Sequence, residues 1–305
     1  MPGVEAMKRN TTSGIMISSG YGGGTANMEY MTLTGFTMSN LSPTMPTPYT
    51  QLVPFMKQAS SINQAFPVST AIHPYIGVYY SRPSVYKKFK FDRFYYLGSK
   101  YPIKHQWKID RSPYMSDKTA YANALDQINR TNKGQFINLV TMQNHYPFDK
   151  DFYNGTKTYK ASGTAVGSDE VEKEIEDFSM GVHYTDQAVK EFTAQLDKIK
   201  KPITWVFYGD HLPGIYADSD MSTEGLQLHE TDYFIYSNKY ARQHGSRILR
   251  GPQSKTAFTG PNNFIALAQE QTNSKISGYG ALLLQVQKQL PVMSLDSTTN
   301  NTNSY

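Results

Sequence analysis

The 305-residue chain is long enough to bury a sizeable core, as one large α/β domain or two smaller ones. It has no cysteine, which excludes disulfides, thiolate metal sites and cysteine nucleophiles, and suits a bacterial protein working outside the cytosol without oxidative folding. The net charge of +5 is modest and spread out, and no apolar run approaches the ~18 residues that span a bilayer, so the chain itself is expected to be soluble. The start also lacks the basic-plus-apolar pattern of a secretory signal. The densest basic cluster, Lys87, Lys88, Phe89 and Lys90, mixes charge with an aromatic ring, but no nucleic-acid-binding motif accompanies it. Nucleic acid is therefore not an expected partner, whereas an anionic membrane surface is compatible with the basic balance.

In chain order, β-branched apolar runs alternate with helix-period segments. A strand is predicted at 14–18, then a glycine-rich stretch and a helix at 26–34. A helix at 49–58 precedes a strand at 68–72, a helix at 83–89 and a strand at 93–97. A helix at 118–130 leads to a strand at 136–142. The polar, glycine-bearing segment 149–167 reads as an exposed loop or lid, and 168–200 as a long charged helix. Strands at 203–208 and 232–237 and a helix at 262–271 follow. The tail 294–305, SLDSTTNNTNSY, has almost nothing to bury and is expected to be disordered. This alternation predicts an α/β fold with a mostly parallel central sheet and helices on both faces. Ligands of such sheets gather at the carboxyl ends of the strands.

Four stretches carry candidate chemistry. GYGGGTANMEY, residues 20–30, runs glycines into Thr25 at a helix start. It is not a nucleotide P-loop, because no lysine precedes Thr25, nor a dinucleotide fingerprint, because Thr25 stands where the third glycine belongs. Either the glycines make a tight loop only, or Thr25 itself does chemistry. In ITWVFYGDHLPG, residues 203–214, Gly209 breaks a strand and lets Asp210 and His211 turn to one point. Their oxygen and nitrogen suit Mn²⁺ or Zn²⁺; the competing reading is a turn in which Asp210 caps the next element. TMQNHYPF, 141–148, ends a strand near His145, which serves either as a surface hydrogen-bonding residue or as a catalyst. STAIHPYIGVYYSRP, 69–83, places His73 at a strand end and Arg82 nine residues on, a pair able to hold a phosphate.

Thr25, His73, His145 and Asp210–His211 each fall just after a predicted strand, so a single sheet would bring them to one edge. A metal-activated threonine flanked by histidines and an arginine is a site for displacement at phosphorus or sulfur. A helix N-terminus at Thr25 would add N–H groups and the positive dipole end beside phosphoryl oxygens.

Taken in order, SSGYGGGTANMEYMTLTG, AIHPYIGVYYSRPSVYKKFKFDRFYYLG, NLVTMQNHYPF, VFYGDHLPGIY, HETDYFIYSNK and TGPNNFIALAQ resemble the extracellular domain of the lipoteichoic acid synthase family. These are phosphoglycerol transferases of the alkaline phosphatase/sulfatase superfamily. The resemblance implies one sulfatase-like domain over 1–293, with a smaller C-terminal part within 212–293. It implies that Thr25 is the nucleophile of a covalent glycerophosphoryl intermediate, and that Thr25, Asp210 and His211 are ligands of a divalent metal, usually Mn²⁺, with Mg²⁺ or Zn²⁺ possible. His73, Arg82 and His145 match residues around the glycerophosphate, and His145 matches a proton donor to the leaving group. Tyr80 stands where the family can carry a tryptophan against glycerol. The implied partners are phosphatidylglycerol, a polyglycerolphosphate or glycolipid acceptor and the membrane surface, with the protein a monomer on the extracellular face. Family domains open with a strand ending in a metal-binding glutamate, preceded by membrane helices. No counterpart precedes MPGVEAMKRN, and neither Glu5 nor Glu29 substitutes, so the chain is expected to be an N-terminally truncated part of a membrane-anchored parent.

Alternatives on the same scaffold are a phosphoethanolamine transferase, a phosphodiesterase or sulfatase-type hydrolase, or a non-catalytic glycerophosphate-binding remnant. No Cys/Ser-x-Pro/Ala-x-Arg pattern surrounds Thr25, which argues against a sulfatase. Other acceptors, including a periplasmic glucan, stay open.

Overall fold

The computed structural model describes residues 1–148, 151–154, 158–162, 168–216 and 219–293. Much of the loop expected over 149–167, and the whole of the tail 294–305, lie outside the described residues. Helix α1 spans Pro2–Arg9, strand β1 Thr12–Ile17, α2 Thr25–Thr34 and α3 the single turn Pro48–Gln51. Then come β2 (Val68–Ile76), α4 (Arg82–Lys88), β3 (Arg93–Leu97), α5 (Asp117–Arg130), β4 (Gln135–Leu139) and α6 (Asp169–Leu196). The remainder holds β5 (Thr204–Tyr208), α7 (Met221–Leu228), β6 (Glu230–Ser237), α8 (Lys239–Gln243), β7 (Phe258–Thr259), α9 (Phe264–Thr272) and α10 (Gly278–Gln289). The helix expected over 49–58 stops at Gln51 and gives way to a 3-10 turn, Val53–Phe55. Pro54 has no N–H to continue an α-helix.

Two compact units divide the chain. The first comprises Met1–Val4, Met56–Phe192 and Pro213–Ser219; the second comprises Glu5–Phe55, Thr193–Leu212 and Asp220–Tyr305. The α/β class expected from the sequence is what the molecule adopts, but its strands form two sheets, one in each unit.

In the first unit the order is β3-β2-β4 and both ladders are parallel. Thr70 of β2 sits opposite Arg93 on one side and Ile137 on the other. Residues Ser69 to His73 are all buried, as expected of a central parallel strand covered on both faces. Helix α5 packs on this sheet through Ala120, Ala124 and Ile128, a buried stripe spaced four residues apart. Tyr121 stacks on Phe192 of α6 with centroids 4.6 Å apart. Pairing of β2 with β4 ends at Ile72–Leu139, and the β3 register shifts between Ile72 and Ile76. Pro74, which cannot donate to a ladder, lies inside that irregularity. His73, expected to end its strand, instead sits at the break within it.

In the second unit the order is β5-β6-β1-β7, with β6 antiparallel to both neighbours and β1 parallel to β7. Strands β1 and β5 therefore point the same way, and their carboxyl ends share one end of the sheet. Gly14 lets β1 approach β7, since a Cβ there would lie 2.1 Å from the Thr256 carbonyl oxygen. Trp205 and Phe207 of β5 both meet Phe234 of β6, and Tyr208 packs on Phe264 of α9. Strand β5 thus has two apolar faces, yet among the described residues it pairs only with β6. Asn238 is fully buried and ties the sheet to its surroundings. Its amide donates to the carbonyls of Leu196, Ile199 and Lys201, and its oxygen accepts from the Ile203 and Ala241 N–H groups.

Candidate functional site

The second unit assembles Thr25, Asp210 and His211. The loop after β1 turns tightly because Gly20 has no side chain: a Cβ there would lie 2.1 Å from the Gly23 carbonyl oxygen. Gly24 caps α2 at φ 104, a left-handed conformation that glycine adopts without strain. Thr25 is thereby the first residue of α2. Two bonds tie this loop to the segment after β5. Ser18 Oγ donates to the Asp210 carbonyl at 2.7 Å, and Gly22 N donates to the Leu212 carbonyl at 2.9 Å. The Thr25 hydroxyl donates to Asp210 Oδ2 at 2.5 Å and lies 3.4 Å from His211 Nε2.

The His211 tautomer follows from its other nitrogen. Nδ1 lies 2.8 Å from the Leu212 carbonyl, which can only accept, so the proton sits on Nδ1 and the Nε2 lone pair faces Thr25. A ring oriented in this way has the protonation of a metal ligand. Asp210 Oδ2 is 3.4 Å from the same Nε2. Carboxylate, imidazole and hydroxyl together make an oxygen–nitrogen–oxygen donor set that fits a divalent ion of the Mn²⁺ or Zn²⁺ type. Among the described residues no group of three or more His, Asp or Glu side chains gathers to hold a metal, so Thr25 is needed to complete even this set. Glu29, one turn further along α2, is buried and accepts from the Tyr49 hydroxyl at 3.2 Å.

In the first unit His73 lies in β2 and His145 in the loop after β4, while Tyr80 and Arg82 stand together at the start of α4. His73 is buried, and its Nδ1 lies 3.0 Å from the Val140 carbonyl just past β4. The His145 Nδ1 lies 2.7 Å from the Tyr146 carbonyl. Each of these rings therefore carries its neutral-state proton on Nδ1. Rings connect the two histidines: His73 meets Tyr75 edge-on at 6.2 Å, Tyr75 meets Tyr114 at 5.6 Å, and Tyr114 meets His145 at 5.5 Å. Burial and the neighbouring Tyr75 raise the Tyr114 hydroxyl above the usual phenol range, so it remains a neutral donor. Arg82, buried at the start of α4, lies 5.2 Å from the Tyr80 ring centroid, within cation–π range. Tyr80 and Ser81 both have positive φ, 55 and 56, uncommon for residues with side chains, and that turn sets the ring beside the guanidinium.

The single edge expected for all these residues is not what the strands build. Thr25, Asp210 and His211 follow β1 and β5 of one sheet, and His73 and His145 belong to the stretch of β2 and β4 in the other. Tyr75 and Tyr114 escape a reading of the sequence alone. For Tyr75 a signal existed, because it stands two residues from His73 on a strand and so shares its face. For Tyr114, in an irregular segment, there was none.

Residues 1–273 match the Sulfatase family, and the chain belongs to it. Its fold is that of the alkaline phosphatase superfamily. It is 35% identical to the Streptococcus pyogenes phosphoglycerol transferase GacH, solved in complex with sn-glycerol-1-phosphate, with a TM-score of 0.85 over 97% of this chain and 74% of that one. The lipoteichoic acid synthase LtaP from Listeria monocytogenes shares the fold at TM-score 0.62 and 16% identity, over 90% of this chain and 66% of that one. A Rhizobium meliloti protein named for cyclic beta-1,2-glucan modification is 29% identical over 247 residues, 76% of this chain and 37% of the relative. The chain thus spans well under half the length of this curated relative. Among the described residues no helix is long and apolar enough to cross a membrane.

Proposed function

We propose that the chain is the catalytic part of a metal-dependent phosphoglycerol transferase, with phosphatidylglycerol as donor and Thr25 as nucleophile. The observation that carries this reading is the convergence of Asp210 Oδ2 and His211 Nε2 on the Thr25 hydroxyl at a helix start. The likeness to GacH supports it. Asp210, His211 and Thr25 would hold a divalent ion, Mn²⁺ by the family resemblance; when bound, such an ion lowers the hydroxyl pKa and offsets charge on a phosphoryl oxygen. Thr25 passes its proton toward the Asp210 carboxylate as its oxygen attacks phosphorus. An O–P bond forms at Thr25, the bond to the diacylglycerol oxygen breaks, and His145, entering the step protonated on both nitrogens, gives its Nε2 proton to that oxygen. The first N–H groups of α2 offer donors for the phosphoryl oxygens. His73 and Arg82 are assigned to the phosphate, and Tyr80 to the glycerol face. An acceptor hydroxyl then attacks the threonyl phosphodiester and passes its proton to His145; the Thr25 O–P bond breaks and Thr25 takes its proton back from Asp210.

The acceptor has two readings. A polyglycerolphosphate or glycolipid end follows from the lipoteichoic acid synthase resemblance. The likeness to a protein named for glucan modification favours a saccharide hydroxyl. The work surface is the outer face of the bacterial membrane, with the chain acting as a monomer.

The test uses the purified chain with Mn²⁺ and phosphatidylglycerol vesicles. Release of diacylglycerol and a glycerophosphoryl adduct on the Thr25 peptide are expected. Thr25→Ala should lose the adduct and at least roughly 1,000-fold in turnover. Undiminished turnover in Thr25→Ala would rule out the assignment. Glycerophosphate binding without any adduct in the unaltered chain would favour the non-catalytic remnant.

A further inference from the structure

A buried polar network in the first unit ends at the segment that presents His145. Asp117, the first residue of α5, is 2% exposed. Its Oδ2 accepts from the Thr185 hydroxyl of α6 at 2.6 Å. A hydroxyl has one proton to give and two lone pairs to receive with. Because the carboxylate takes that proton, both lone pairs of Thr185 face the loop after β4. They receive Gln143 Nε2 at 2.9 Å and Asn144 Nδ2 at 2.8 Å. Gln143 is satisfied on every side. Its second amide proton goes to the Gly181 carbonyl at 2.8 Å, and its oxygen accepts from the Asp117 backbone N–H at 2.9 Å. Gly181 is needed for this closeness, since a Cβ there would lie 2.5 Å from Asn144 Oδ1. His145 follows directly, and its N–H closes a turn on the Met142 carbonyl at 3.0 Å.

We propose that Asp117 is a positioning residue for His145, acting through Thr185 to fix the Gln143–Asn144 backbone from which the imidazole projects. The inference rests on the reading of His145 as the proton donor. Neither Asp117 nor Thr185 touches the imidazole. Their effect is to choose which way the Thr185 hydroxyl points, and so to hold two consecutive residues before His145. Burial raises the Asp117 carboxyl above its ordinary range, while the Thr185 and Thr141 hydroxyls act against that rise. His145 itself is exposed; besides the network, the turn to Met142, the Tyr114 contacts and the Tyr153 hydroxyl on the Gln143 carbonyl at 3.3 Å order this segment.

Thr185→Val keeps the side-chain shape and removes the hydroxyl, and Thr185→Ser returns it. Asp117→Val breaks the same link from the other side, so the test does not depend on one variant folding. All are compared with the unaltered chain by hydrogen-exchange mass spectrometry and by the kinetics of diacylglycerol release from phosphatidylglycerol vesicles with Mn²⁺. In Thr185→Val the amides of 142–146 should exchange about tenfold faster while β2 and α5 keep their protection. Turnover should fall about tenfold at unchanged KM, and Thr185→Ser should restore both. Unchanged exchange and turnover in Thr185→Val would overturn the proposal. So would a Thr185→Ser variant as impaired as Thr185→Val, because volume rather than the hydroxyl would then matter. If the unaltered chain releases no diacylglycerol, the transferase reading fails, while the exchange comparison still decides whether the network orders the loop.

Discussion

Thr25 has its place because glycines surround it. The loop from Gly20 to Gly24 contains one position that a methyl group would close outright and two that need positive φ, at Gly22 and Gly24. Gly20→Ala would force its Cβ into the Gly23 carbonyl, and the loop would have to open by an ångström or more. Since the clash is with backbone, no side-chain rotation relieves it. Displacements of that size at a reacting group cost about 100-fold in rate. We therefore expect Gly20→Ala to form the Thr25 adduct about 100-fold more slowly, with thermal unfolding little changed because the loop is only half-buried. Rapid-quench mass spectrometry of the adduct measures this, and a wild-type rate would show that the loop does not set the Thr25 geometry.

At the scale of elements, two helix starts carry unusual weight. Asn238 caps α8 while bonding the last carbonyl of α6, two carbonyls of the turn after it and the N–H that leads into β5. Asn238→Ala would remove five hydrogen bonds, two of them buried and three part-buried, at a cost of about 3 kcal/mol. Urea unfolding should show that loss, and a change below about 1 kcal/mol would contradict the accounting. The other start is Asp117 on α5. Its folded pKa is raised, so the native state keeps this proton to a higher pH than the unfolded chain does. That contribution to stability is complete below the ordinary value of 3.8 and is lost as pH rises through the raised folded value. Asp117→Asn removes the titration. The stability difference should move in favour of the variant as pH rises above about 4, as followed by urea unfolding. A pH-independent difference would mean that the carboxyl is not perturbed. Expectations from the sequence were strongest for such elements. Strand runs such as 68–72 and 203–208 show themselves by β-branched and aromatic residues, and α5 by its four-residue spacing. Helix α10 went unread because its apolar residues do not fall on one clean stripe, and 49–58 was overread because Pro54 sits inside an otherwise helical pattern.

For the whole molecule, the sequence conveyed class and family more fully than arrangement. Alternating strands and helices reveal an α/β chain, but a strand such as β6, aromatic and apolar over Tyr233–Tyr236, does not declare which way it runs. Its antiparallel direction is set by pairing with β1 and β5, which no local pattern encodes. The Thr25 cluster was legible because Gly209 and the glycine loop leave marks in the sequence. Tyr114 and the Asp117–Thr185 link join residues tens of positions apart and leave none. The charge balance is legible at this scale too. With a net charge of +5, binding to phosphatidylglycerol vesicles should weaken as salt shortens the Debye length from about 10 Å at 0.1 M. Vesicle cosedimentation across a salt series checks this, and salt-independent binding would point instead to apolar insertion.

The edge of β5 has a practical consequence. Among the described residues, the strand carrying Val206, Phe207 and Tyr208 is apolar on both faces and its ladder is the one with β6. Such a strand carries no lysine, proline or bulge to discourage another chain from pairing with it. During refolding, before its surroundings form, it is a segment prone to capture a neighbour. The yield of native protein should then depend on how dilute the chain is kept, whatever its stability once folded.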